Sequence, residues 1–119
     1  MTIVFRVQDH EGRGPFRPGL PRMWSDPGAP LEMLPTWMEE FGDDIFEREG
    51  RAGEVFGSAV LRLEDIGRWF TSSEQGRLAR LGFRVVSIPD ARVIAASESQ
   101  VVFGRRRPLA EGVQVRRWP

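Results

Sequence analysis

The 119-residue sequence contains no cysteine, tyrosine, lysine or asparagine, and its only histidine is His10. Without cysteine there is no disulfide framework, thiol nucleophile or thiolate zinc site, and without lysine there is no Schiff base. A single histidine also excludes a metal site built on paired histidines. Any enzymatic chemistry must therefore use carboxylates, hydroxyls, amides, arginines or His10, which is flanked by two acids and is expected to be a surface residue.

Long apolar runs are also missing. The first residues lack the apolar run of roughly 7 to 15 residues that marks a signal peptide, and no segment approaches the roughly 20 apolar residues of a membrane span. We therefore expect a cytoplasmic protein with no membrane partner. Apolar residues make up 40% of the chain, including eight phenylalanines and four tryptophans, which is enough for the core of one domain over residues 1–119.

The formal net charge is zero, because the chain has 17 arginines and 17 acids, but these charges are distributed unevenly. Residues 26–65 carry eleven acids and three arginines, a net charge of −8, whereas residues 66–119 carry ten arginines and four acids, a net charge of +6. Two interpretations stay open. Either the two segments lie against each other and neutralise one another, or the acidic segment forms a charged face that steers a partner.

The pattern of residue types predicts an α+β fold. A β-branched and aromatic run predicts a strand over 2–8, with Ile3, Phe5 and Val7 on one face and Val4, Arg6 and Gln8 on the other. Residues 9–35 hold six of the nine prolines, which predicts a long Pro/Gly-rich loop after this strand.

Later elements are predicted from periodicity and capping residues. We expect two to three helices, including one over 36–42 capped by Thr36, one over 61–70 and one that is capped by Ser72 or Ser73 and is followed by a left-handed C-terminal cap at Gly82. Residues 47–54 are expected to be a surface loop. The remaining strands are predicted over 83–88, 92–96, 100–103 and 113–115, in a split or largely antiparallel sheet, and residues 104–119 form an Arg-rich C-terminal segment.

Arg6 is the first candidate binding residue, because it stands in the middle of the most apolar strand. Either that strand face is exposed, or the guanidinium is buried and needs an anion. Arg13 and Arg17 follow in the flexible loop and are candidates to close over a phosphorylated ligand. Gly12 and Gly14 lack the strand-to-helix context of a dinucleotide fingerprint, which excludes a Rossmann dinucleotide-binding site and a P-loop.

Three polar residues further along the chain are candidates for chemistry. Ser58 ends a short predicted strand and either presents its hydroxyl or starts a helix. Glu98 and Gln100 share one side of an extended segment, where a carboxylate can stabilise a cationic sugar centre and an amide can orient a nucleophile. A plain turn is the alternative for this segment, and Arg105 to Arg107 are expected to form a solvated tail.

Short motifs in this chain resemble, in order, those of a family of small accessory proteins encoded by bacteriophages and prophages. The resemblance covers most of residues 3–103 and implies an accessory phage protein in the cytoplasm of the host cell. The chain departs from the family at Gln8, where an acid is expected, and in the acidic insert over 31–51. The motifs are Phe5-Arg6-Val7-Gln8, Gly12-Arg13-Gly14-Pro15-Phe16, Phe56-Gly57, Ile66-Gly67-Arg68-Trp69-Phe70, Gly82-Phe83-Arg84-Val85 and Gln100-Val101-Val102-Phe103.

The chain more distantly resembles the mono-ADP-ribosyltransferases of the enterotoxin and cholera toxin type, which split NAD. Phe5-Arg6 matches the aromatic-Arg pair whose arginine holds NAD in that family, and Ser58 is the nearest counterpart of its strand serine. Glu98-Ser99-Gln100 corresponds to the family's Glu-x-Glu element, with Gln100 in place of the final, catalytic glutamate. The resemblance therefore implies either that Glu98 substitutes from a shifted position or that the site is not an active transferase.

Two functions remain open. The first is a non-catalytic inhibitor that binds a host defence machine, such as a CRISPR complex, through the acidic segment 26–65, with Asp43, Asp44 and Glu47 as contact residues. Its partner is a host protein or ribonucleoprotein, and direct binding of nucleic acid is less favoured. The second is a small ADP-ribosyltransferase-like enzyme with NAD as its possible cofactor and no metal. Its NAD-binding residues are Arg6, Arg13 and Arg17, and its catalytic residues are Ser58, Glu98 and Gln100.

Overall fold

The structure is a computed structural model that describes residues 2–16, 24–26, 34–115 and 117–119. Within these ranges the chain forms strands and helices in the mixed order predicted for an α+β protein, and that fold class is confirmed. The strands are β1 (Thr2–Gln8), β2 (Val55–Ala59), β3 (Arg84–Ala96), β4 (Val101–Arg105) and β5 (Val113–Gln114). The helices are α1 (Trp37–Phe41), α2 (Ile45–Glu49), α3 (Ile66–Trp69) and α4 (Ser72–Arg80), with 3₁₀ turns at Leu63–Asp65 and Leu109–Glu111.

The strands form one curled antiparallel sheet in the order β1-β3-β4-β2, and β5 also pairs with β3. Phe5 and Val60 exchange two backbone hydrogen bonds of 2.8 Å each, so the chain just after β2 meets β1. Because the two outer strands meet there, the sheet wraps around an interior.

The predicted break between two strands at Pro89-Asp90 is wrong, because β3 runs continuously through both residues. Asp90 adopts a positive φ of 60°. The register of β3 with β1 shifts between Ile88 and Ala91, and its register with β4 shifts between Val93 and Ala95. Such irregularities bend a strand. The bend lets one strand pair with β1 through its first half and with β4 through its second half.

Two apolar clusters flank the sheet, and they confirm the predicted alternation along β1. Val4 belongs to the cluster inside the curl. Val7 belongs to the outer cluster, and Phe5 packs against it beneath α3 and α4. The inner cluster is formed by Val4, Ala59, Val86, Ile88, Ala91, Val101 and Phe103.

The helix ends are set by capping. As predicted, α1 begins after Thr36, whose hydroxyl accepts a hydrogen bond of 3.2 Å from the Glu39 amide. The predicted N-cap of α4 is wrong, because Thr71, and neither Ser72 nor Ser73, caps the helix, and its reciprocal bonds with Glu74 complete a capping box. Gly82 has a φ of 92°, which confirms the predicted left-handed turn after this helix.

Two further local predictions need correction. The helix expected over 61–70 is a 3₁₀ turn followed by the short α3. The surface loop expected over 47–54 begins inside α2, which tertiary contacts stabilise, since Phe46 packs on Trp37 and Phe56 at ring distances of 4.9 and 5.0 Å. Residues 9–16 and 24–26 contain no helix or strand, whereas the rest of the predicted long loop up to residue 33 lies outside the described residues.

No helix in the described ranges is long and apolar enough to cross a membrane.

Candidate functional site

Arg6 is buried inside the curled sheet, so its strand face is not exposed. Its Nη1 donates to the Ser58 carbonyl at 3.0 Å, and its Nη2 donates to the Gly12 carbonyl at 3.1 Å. Gly57 leaves room for the guanidinium, since a β carbon there would clash with its Nη1. The side chain therefore ties β1 to β2 and to the first turn of the following loop.

The environment of Arg6 is electrostatically unfavourable. Burial lowers the pKa of its guanidinium to about 10, and the negative charge of Asp9 only partly offsets this effect. The group still carries its positive charge at neutral pH, with neutral carbonyls as its hydrogen-bond acceptors. These contacts fix Arg6 as a cross-strand tie.

Arg13 lies on the surface, and its charge is paired with acids close to it in the sequence. It forms ion pairs with Asp9 at 3.4 Å and Glu11 at 3.1 Å, and its side chain is 48% exposed. Asp9 organises this turn, because its Oδ1 accepts hydrogen bonds from the backbone amides of Glu11 and Arg13. Arg17, the third predicted NAD-binding residue, lies outside the described residues.

A groove of about 480 Å³ lies between the chain after β2 and the turn that joins β3 to β4. Glu98 and Gln100, both predicted catalytic residues, line it together with Arg62 and Arg68. Arg68 donates to the backbone carbonyl of Glu98 at 2.8 Å, and Glu98 is an exposed residue. Arg62 pairs with Asp65 at 3.2 Å, and the hydrogen bond from this pair raises the pKa of Arg62.

Gln100 is buried at the floor of this groove and is held by a carboxylate that sequence reasoning missed. Its amide nitrogen donates to Glu40 at 2.8 Å and to the Pro35 carbonyl at 2.9 Å. The same Glu40 oxygen accepts hydrogen bonds from the hydroxyls of Ser97 at 2.9 Å and Ser99 at 2.7 Å. Because Glu40 belongs to α1, this network fixes that helix to the β3–β4 turn.

Two opposing effects act on the Glu40 carboxyl. Burial is the largest single influence and alone would raise its pKa, but hydrogen bonds from Gln100, Ser97 and Ser99 together lower it below its usual value. The group is therefore charged at neutral pH and is a weak base. Nothing in the sequence spacing pointed to it, since Glu40 and Gln100 are 60 residues apart.

Arg6 is not part of the groove. Glu98 and Gln100 line one concave surface, whereas Arg6 meets Ser58 through the Ser58 carbonyl inside the sheet. The cations that accompany Glu98 and Gln100 are Arg62 and Arg68. Among the described residues, no group of three or more carboxylate or imidazole side chains is placed to hold a metal ion.

The helices α1 and α2 and the turn between them carry most of an acidic surface. We define the acidic hairpin as residues 36–50, which contain six acids and one arginine, a net charge of −5. Arg48 pairs with Asp44 at 3.1 Å and lies 3.9 Å from Glu49. The predicted contact residues Asp43, Asp44 and Glu47 are exposed here, as are Glu39 and Glu49.

Among the described residues, no arginine of the C-terminal half forms an ion pair with this hairpin. In the described parts of the chain, ion pairs between that half and the acidic segment join Arg77 to Asp26 and Arg92 to Glu54. Both acids lie outside the hairpin. Arg105, expected in a solvated tail, is instead 1% exposed at the end of β4, so the tail prediction is wrong for this residue.

The fold and the site together define a small α+β protein with a curled antiparallel sheet, a groove of mixed charge and an acidic helical surface. The chain belongs to the bacteriophage T4 Y00F protein family, whose sequence model matches residues 1–116. The predicted kinship with small phage proteins is thereby confirmed. No curated protein and no solved structure matches the chain, and the likeness to ADP-ribosyltransferases stays a prediction.

Proposed function

We propose that this phage protein is a binding protein that inhibits a host defence machine, such as a CRISPR complex, by presenting the acidic hairpin to a nucleic-acid-binding surface. The observation that carries the proposal is the set of exposed carboxylates at Glu39, Asp43 and Glu47, none of which forms an ion pair with another described residue. A surface that binds phosphates by arginine and lysine side chains also attracts such a carboxylate cluster.

The hairpin is held rigidly enough to act as a preformed surface. Ring contacts fix α2 to α1 and β2, since Phe46 stacks on Phe56 and packs at a tilt on Trp37. The Glu40 network fixes α1 to the β3–β4 turn. A preorganised surface loses less conformational entropy on binding, so more of its interaction energy appears as affinity.

The test is affinity capture from a host lysate with two triple variants of equal charge change. The first carries Asp43→Arg, Asp44→Arg and Glu47→Arg, and the control carries Glu11→Arg, Glu64→Arg and Glu111→Arg on other exposed parts of the surface. We expect wild type and control to retain a host complex and to reduce its binding to nucleic acid, with salt weakening the capture. Equal capture by both triple variants, or none by wild type, contradicts the proposal.

One observation favours the second candidate function, an NAD-binding ADP-ribosyltransferase-like activity. Glu98 and Gln100 share a groove with the cations Arg62 and Arg68, which suit a diphosphate. Its test is a thermal melt with NAD, since ligand at 100 times its dissociation constant stabilises a protein by about 2.7 kcal/mol. Protection that is lost in Arg68→Ala and kept in Arg80→Ala supports this activity, and the absence of protection rejects it.

A further inference from the structure

One large apolar side chain is exposed within the acidic hairpin. Met38 on α1 is 50% exposed, and of the exposed large hydrophobic residues in the described ranges it is the one that belongs to this hairpin. Single exposed apolar residues are common on protein surfaces and by themselves indicate nothing. Two further features set Met38 apart, namely its position on the helix and the charges beside it.

Met38 lies on the outer side of α1. The opposite side is fixed to the protein, because Trp37 packs on Phe46 at a ring distance of 4.9 Å and Glu40 accepts hydrogen bonds from the β3–β4 turn. At 3.6 residues per turn, Met38 and Glu39 project on the remaining side of the helix, where both are exposed. The contacts on the inner side therefore hold Met38 outward in the free protein.

The charge beside Met38 is negative. The Thr36 hydroxyl donates to the Glu39 carboxylate at 3.2 Å and accepts the Glu39 amide at 3.2 Å, so this carboxylate is held at the start of the helix. The one arginine of the hairpin, Arg48, pairs with Asp44 at 3.1 Å, and no described residue forms an ion pair with Glu39. The surface around Met38 thus combines an apolar centre with a carboxylate that lacks a counter-ion among the described residues.

The apolar centre and the carboxylates contribute differently to binding. Carboxylates attract a basic surface over a distance, but salt screens that attraction. Burial of apolar area adds affinity roughly in proportion to the area removed from water. The centre of a protein interface is typically depleted in charged residues and enriched in methionine, and its rim is polar. Met38 with the carboxylates beside it has this arrangement.

We propose that Met38 is the apolar anchor of the acidic hairpin, and that the partner presents an arginine-rich protein segment with apolar side chains among its arginines. This inference rests on the proposed binding function and adds the chemistry of the bound segment. Met38 packs on an apolar side chain of that segment, while Glu39 and Asp43 pair with its arginines. A nucleic acid is a poor occupant, because the carboxylates repel its phosphates. Binding by charge alone is the competing arrangement.

Two synthetic peptides of equal length and equal charge test the anchor on the intact protein by isothermal titration calorimetry. Arginine alternates with leucine in one peptide and with serine in the other. We expect wild type to bind the leucine peptide about tenfold more tightly, which is a usual effect of one well-packed contact residue. Met38→Gln should remove this preference and Met38→Leu should keep it. The control Leu81→Gln, which changes a residue that is 43% exposed outside the hairpin, should also keep it.

Three calorimetric results overturn the proposal. They are equal affinity of wild type for both peptides, a preference that survives in Met38→Gln, and no binding of either peptide. These results do not bear on inhibition of a host machine, which is tested by capture from a lysate. A host complex that wild type and Met38→Gln retain equally well would likewise reject the anchor and leave the proposed function intact.

Methyl NMR of wild type gives a measurement that needs no altered surface. In protein labelled with ¹³C at its methionine methyl groups, we expect the leucine peptide to shift the Met38 signal and the serine peptide to shift it much less. Comparison with the spectrum of Met38→Leu assigns the signal. A Met38 signal that stays unchanged while the leucine peptide binds overturns the proposal, because the peptide then lies elsewhere.

Discussion

The guanidinium of Arg6 occupies the space that a β carbon on Gly57 would need. Gly57 lies opposite Phe103 on β4, and the same β carbon would also approach the Phe103 ring to 3.2 Å. Both obstacles face the interior of the curled sheet. Gly57 is therefore required by packing, in a strand where any other residue could adopt the backbone conformation.

Gly57→Ala tests this relationship. Because neither β4 nor the buried arginine can yield easily, we expect the free energy of unfolding to fall by about 1 to 3 kcal/mol, the usual cost of overpacking. Chemical denaturation measures the change. Gly67→Ala is the matched control, since a β carbon there meets nothing within 4 Å and alanine favours its helix. Equal stability of wild type and Gly57→Ala contradicts the packing account.

Glu54 and Arg92 predict a pH dependence of stability. Arg92 binds both Glu54 oxygens, at 2.6 and 2.9 Å, and these hydrogen bonds lower the pKa of Glu54 to about 2 from an ordinary value of 4.5. A lowered pKa in the folded state contributes stability that is full above about pH 4.5 and is lost as the pH falls towards 2.

We therefore expect wild type to lose more stability than Glu54→Gln between pH 5 and pH 2.5, in urea denaturation at each pH. Glu64→Gln is the control, because its carboxylate is 71% exposed. The control should follow wild type across the range. Parallel curves for wild type and Glu54→Gln would show that the ion pair adds no pH-dependent stability.

The Glu40 network predicts a local effect on α1. In Glu40→Ala, the amide of Gln100 and the hydroxyls of Ser97 and Ser99 lose their shared acceptor, which typically costs about 1 to 3 kcal/mol for buried groups. Hydrogen exchange should quicken in α1 and in the β3–β4 turn. Glu47→Ala removes an exposed carboxylate and should leave both segments unchanged. Uniform quickening across the whole sheet would instead indicate global destabilisation.

Local sequence patterns predicted β1 and its two faces, because alternation of side chains is a property of a single strand. They could not predict that Arg6 reaches the Ser58 carbonyl, since that contact depends on how the sheet curls. The continuity of β3 through Pro89 was missed for a similar reason. A proline usually ends a strand, but here the chain bends and passes from one neighbouring strand to the other.

The candidate site was also predicted only where local sequence determines it, and not where it depends on tertiary contacts. Composition and charge order predicted the acidic segment, and the exposed hairpin is consistent with it. Glu40 was not predicted as a partner of Gln100, because contacts between residues so distant in sequence leave no periodic signal. The burial of Arg105 was also missed, since three consecutive arginines are typical of a solvated segment whatever their tertiary position.

The start of α4 offers a test between two neighbouring hydroxyls. Thr71 accepts the Glu74 amide at 3.1 Å and also bonds Asp26, whereas Ser72 is exposed in the first helical position. Thr71→Ala should lower the free energy of unfolding by about 1 kcal/mol, as expected for loss of an N-cap, and Thr71→Ser should restore most of it. Ser72→Ala should have almost no effect, because alanine is a good helix former and no cap is lost. Chemical denaturation of the three variants gives the comparison, and a greater loss in Ser72→Ala than in Thr71→Ala would place the cap at the residue that the sequence pattern favoured.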